Sequence, residues 1–173
     1  MMVAEMGYRR VAVGIDRPLA QYASQEVHRE SLPLPGATVR GARRACVEIF
    51  HGVGGNPRSA LIGGVLVPST AHQLEVELNI SENCPIGAAP TCPGAFGRDL
   101  VPGLAEEFIK RIPGALMTRI ARPGVITIDR AAYDEVESSV LSFSLAADLL
   151  GLVLSYESLP EAEAAIRQRM TEW

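Results

Sequence analysis

Apolar and polar residues alternate most strictly over residues 74–80, Leu-Glu-Val-Glu-Leu-Asn-Ile. A period of two predicts a strand with one buried face. Residues 9–15 show the same period through Val11, Val13 and Ile15, and Asp16-Arg17-Pro18 stops it. Two further strands are predicted over residues 38–51 and 59–67, joined by a Gly-rich turn at residues 52–57. Gly63-Gly64 inside the second of these marks a bulge or a close backbone approach. Residues 17–36 have no clear period, and Pro33 and Pro35 enforce an extended connection there. Residues 81–98 read as a long loop rich in Pro and Gly.

The period then changes to that of a helix. Leu100, Leu104, Phe108 and Ile112 recur every four residues, which predicts a helix over residues 99–111, capped by Asp99 and ended by Pro113-Gly114. A short strand is expected at residues 125–128. A helix then opens at Ser138 or Ser139 and runs to about Ser155; it is apolar nearly all round and therefore buried. Ser158 and Glu161 form a capping box for a last amphipathic helix. The order of elements predicts an α+β fold, a sheet with helices packed on one face.

Composition bounds the answer without naming a reaction. The 173 residues suit one globular domain. The chain is acidic overall, but its charge is divided unevenly. Residues 1–72 hold eight arginines against five acids; residues 73–173 hold eight basic residues against fifteen acids. The acidic balance argues against strong non-specific nucleic-acid binding and leaves room for a local basic face in the first half. Three cysteines, an odd number with no apolar leader, fit a reducing, cytoplasmic setting. The longest apolar stretch, residues 143–154, contains Asp148 and is too short to span a bilayer, so no membrane partner is expected.

Candidate chemistry is sparse. Arg40, Arg43 and Arg44 precede one predicted strand, with His51 at its far end and Arg58 beyond the turn. Gathered at one end of a sheet, these would face phosphates; scattered, they are a solvated rim. Cys84 and Cys92 lie in the long loop, each before a proline, and are the candidates for a thiol or small-ligand site. Neither they, Cys46 nor the three histidines have metal-ligand spacing, so no metal and no cofactor is expected. Gly52, Gly54 and Gly55 precede a strand rather than a helix, which favours a hairpin turn over a phosphate cradle. Asp129, Asp134, Glu135 and Glu137 sit before a helix start, where negative charge is favoured by the helix dipole.

Residues 124–147, GVITIDRAAYDEVESSVLSFSLAA, resemble the fourth domain of translation elongation factor G, in which a short strand and an acidic turn lead into a helix. The alternating strand at 74–80, the Gly/Pro loop and the segment Val101-Pro102-Gly103-Leu104 through Phe108 fit the same pattern more loosely. The resemblance implies a left-handed β-α-β crossover in a core over residues 38–155, with an N-terminal extension at 1–37 and a C-terminal helix at 156–173. It implies tip loops at about residues 52–58 and 81–97, which in the factor enter the decoding region of the ribosome. The GTP-binding module and the family's fifth domain have no counterpart here. Three readings follow: a non-catalytic, translation-factor-like domain binding RNA or a ribosome-associated protein; a small-ligand protein or enzyme using the Cys84–Cys92 loop; and a homodimeric module pairing through an edge strand at 61–67 or 74–80.

Overall fold

The structure, a computed structural model, describes residues 1–14, 16–35, 41–52, 57–81 and 91–173. Its strands are β1 (Met2–Met6), β2 (Arg9–Gly14), β3 (Glu26–Pro33), β4 (Arg43–His51), β5 (Arg58–Pro68), β6 (Gln73–Ile80), β7 (Cys92–Pro93), β8 (Asp99–Pro102) and β9 (Gly124–Tyr133). The helices are α1 (Ile112–Arg119), α2 (Val140–Ser155) and α3 (Leu159–Met170). The fold is mixed, with one large sheet in the order β1-β2-β4-β5-β9-β6-β3. Every pairing along this path is antiparallel except β6 with β9, which run parallel and are bridged by the segment carrying α1.

One face of the sheet is apolar because the strands alternate. Val47 and Ile49 of β4, Ile62 and Leu66 of β5, Val76 and Leu78 of β6, and Ile126 and Ile128 of β9 all enter one core. Phe143, Ala146, Ala147 and Leu150 of α2 join that core, and α2 lies over β4 and β5. α1 packs on α2, and α3 packs on α2 and the β1 edge. Ser139 caps α2 by accepting from the Ser142 amide, with Ser142 reciprocating. Asp148 is the one acid on the buried side of α2, and it binds the three helices together. Arg119 of α1 donates to it at 2.5 and 3.2 Å, and Arg169 of α3 at 2.6 Å.

Several expectations are corrected. Residues 99–111 do not form one helix. Asp99–Pro102 is strand β8, residues Glu106–Arg111 are a 3₁₀ turn, and α1 begins where the helix was expected to end. The reason is proline: Pro113 stands in the first turn of α1, where its missing N–H costs nothing, so it starts a helix instead of stopping one. β9 runs ten residues rather than four. The register of β9 with β5 slips between Gly63 and Gly64, so a bulge lets the strand continue. The N-terminal segment is not an appendage. β1 and β2 extend one edge of the sheet and β3 forms the other. Consequently β5 and β6, the candidate dimer edges, are interior strands. The outer strand β3 carries Glu26, His28, Arg29 and Glu30, charges of the kind that discourage edge-to-edge pairing.

Candidate functional site

The two ends of β4 receive the predicted cations. Arg43 and Arg44 open the strand and His51 closes it, directly opposite Arg58 of β5. At the rise of an extended strand the two groups lie about 27 Å apart, so the structure does not gather them into one patch. Arg40 and Cys84 lie outside the described residues, as do residues 53–56 of the expected Gly-rich turn and residues 82–90 of the expected Pro/Gly loop.

The first end is neutralised. Arg44 makes a two-pronged ion pair with Asp129 at 2.8 and 3.0 Å. Asp129 also receives Arg130 at 3.0 Å, and Asp16 lies 3.3 Å from Arg130 on its other side. Asp129 thus serves the second face of the sheet and has no part in capping α2. Arg43 makes no ion pair among the described residues. It lines a shallow groove of about 290 Å³ together with Gly14, Ala45, Val153, Leu154 and Leu159.

The middle of β4 is buried chemistry turned inward. Cys46 and Glu48 point to the face opposite the helices, covered there by the turn at Arg17 and by residues 92–98. Glu48 is 3% exposed; it accepts from the Ala95 amide at 2.8 Å and pairs with Arg17 at 3.2 Å. Burial pushes its carboxyl above the ordinary range against those stabilising contacts. Burial also pushes the Cys46 thiol up to about 11, and raises Cys92. Cys92 is 1% exposed and packs with Leu61, Leu100 and Ala132. Thiols held protonated in this way are inert near neutral pH. Gly63 is required here, because a Cβ at that position would run into Cys46 Sγ and crowd Arg130. No cluster of three metal-ligating side chains occurs among the described residues, and no helix there is long and apolar enough to cross a membrane.

The second end of β4 is different. His51 stands between two arginines in cross-strand register, Arg9 of β2 on one side and Arg58 of β5 on the other. Neither His51 nor Arg58 has an acidic partner among the described residues. Burial, and then the charges of Arg58 and Arg9, lower the His51 pKa below its usual value. The tight β1–β2 turn sits alongside, with the Gly52 amide donating to the Tyr8 carbonyl at 3.2 Å. Gly7 holds the positive φ of 59° that such a two-residue turn asks for at its first position. Tyr8 follows it and is 67% exposed. On the opposite face of the same end, Arg98 lies 4.8 Å over the Phe50 ring and pairs with Asp134 and Glu137.

Sequence reasoning did not find Arg9 or Tyr8. The signal was a missing element: without β1 there is no hairpin at Gly7-Tyr8 and nothing sets Arg9 opposite His51. No protein-family model, curated protein or solved structure matches the chain.

Proposed function

We propose that the protein is a non-catalytic, translation-factor-like domain that binds structured RNA through the end of the sheet where β4 finishes, β5 begins and the β1–β2 turn lies. The observation that carries this reading is the un-neutralised pair His51 and Arg58, set beside the exposed ring of Tyr8. A guanidinium with no acidic partner among the described residues is free to take a phosphate, an adjacent imidazole can join it, and an exposed aromatic ring offers a stacking platform for a base.

Two further features support it. Residues 52–58 are where the resemblance to elongation factor G expects a tip loop, and His51 and Arg58 stand in register at the two ends of that stretch. The parallel β6–β9 pair, bridged by α1 and followed by α2, is the arrangement that a β-α-β crossover of that fold requires. A left-handed crossover belongs to this proposal.

The test is a titration of a fluorescent RNA hairpin at several salt concentrations. Tight binding at low salt that weakens linearly in log–log form, with a slope of about −2 for two or three phosphate contacts, is expected. Absence of binding at low salt, or binding indifferent to salt, would overturn the reading.

A further inference from the structure

Three basic side chains cross three adjacent strands in a single row: Arg9 on β2, His51 on β4 and Arg58 on β5. Directly opposed residues of antiparallel strands point to the same face with Cβ atoms about 5 Å apart, and like charges so placed destabilise a sheet. Past Arg58, β9 joins β5 only from Leu61 onward, and the segment after β9 lies alongside instead: the Ser59 amide donates to the Glu137 carbonyl, while the Asp134 and Glu137 carboxylates pair with Arg98. Beyond Arg9 the next residue in register is Met6, which brings no charge.

The groups around His51 come from each neighbouring element. β2 contributes Arg9 and β5 contributes Arg58. The end of α3 and the residues after it contribute main-chain oxygens, of Met170 at 2.6 Å and of Trp173, and both are occupied by the Arg9 guanidinium. Glu172 is taken by Arg169. The adjoining turn contributes Tyr8. No carboxylate in this set answers His51 or Arg58.

We propose that His51 and Arg58, beside the engaged Arg9, form a phosphate-binding site in which His51 engages as the imidazolium, so that binding one phosphate group takes up one proton. In the free site partial burial, and then Arg58 and Arg9, oppose the charge of the ring and lower its pKa. A phosphate oxygen between His51 and Arg58 reverses that balance. The bound ring then donates a charge-assisted hydrogen bond, and affinity rises as the pH falls through the histidine range. The inference rests on the RNA-binding reading for its natural ligand. RNA phosphodiesters keep one negative charge throughout this range, so the proton belongs to the protein.

The experiment follows the three histidine rings of the full chain by NMR from pH 5 to 8, alone, with sodium sulfate, and with the RNA hairpin. His28 and His72 serve as internal controls. An upward shift of the His51 titration by about half a pH unit or more is expected on binding, with the controls unmoved. A shift with sulfate as well as RNA identifies a site for free anions; a shift with RNA alone identifies the polymer backbone. In parallel, RNA affinity of the wild type is expected to rise about twofold or more from pH 8 to pH 5.5 at constant ionic strength, as a half-unit shift requires. The His51→Gln protein should bind at the weaker level at both pH values. RNA binding with no pH dependence, or the same dependence in His51→Gln, overturns the proton linkage and leaves the RNA reading intact. A sulfate-dependent shift without RNA binding does the reverse. No shift with either ligand overturns the site.

Discussion

The two ends of β4 carry similar numbers of basic residues and behave as opposites. At the first, Arg44 meets Asp129, which Arg130 and Asp16 also join, and the result is a closed network of alternating charge. At the second, Arg9, His51 and Arg58 stand side by side, and no acidic side chain among the described residues pairs with them. Arginine spacing in the sequence cannot separate these cases, because the partner that decides each one lies far along the chain. Basic residues become a binding surface where the fold withholds acids from them.

The largest expected effect breaks the first end. Asp129→Ala removes the acid shared by Arg44 and Arg130; Arg130 keeps Asp16, and the partly buried Arg44 guanidinium is left unanswered. A loss of about 3 kcal/mol in urea denaturation is expected. If Asp129→Ala is as stable as the wild type, the network contributes nothing and the contrast between the ends collapses. The second end is tested by function. Arg58→Ala should leave stability nearly unchanged and weaken RNA hairpin binding roughly tenfold at low salt, while reducing the salt slope by about one. Equal losses from Arg58→Ala and Arg43→Ala would show that the end of the sheet at which a cation stands is irrelevant.

Between the ends lies Glu48. Its carboxyl is raised in the fold, so the folded protein holds that proton more tightly than the unfolded chain does. Stability from this group is therefore present below the ordinary carboxylate value of 4.5 and is lost as the pH rises through the raised folded value. Glu48→Gln should flatten that part of the pH–stability profile, measured by denaturation from pH 4 to 7. The smallest effect is expected of Arg43→Ala. With no ion pair among the described residues to lose, it should change stability by less than about 0.5 kcal/mol, and RNA affinity by less than twofold.

The parts of the fold legible in the sequence are those where one physical rule dominates. Strict alternation placed β6 to within a residue, and the Ser139 cap with its apolar run placed α2. β3 was hidden because both of its faces are polar, which erases the alternation on which recognition depends. β8 was taken for helix because Leu100 and Leu104 do point into buried space, but into different clusters on different sides of the chain. At the candidate site, His51 and Arg58 were legible as neighbours across a turn. Arg9 and Tyr8 were not, since their positions depend on the register of β1 and β2 rather than on any local pattern.

The place of β9 has a consequence for how the protein is made. It is the last strand in the chain, yet it sits between β5 and β6. Until residues 124–133 leave the ribosome, the sheet exists only as two unjoined halves, β1-β2-β4-β5 and β6-β3, each with an open inner edge. Such edges invite pairing with other chains, and long-range closure is slow. Nascent chains stopped before Gly124 are therefore expected to aggregate or recruit chaperones, and chains extended past Ser155, with β9 inserted and α2 laid over β4 and β5, to become protease-resistant in a single step.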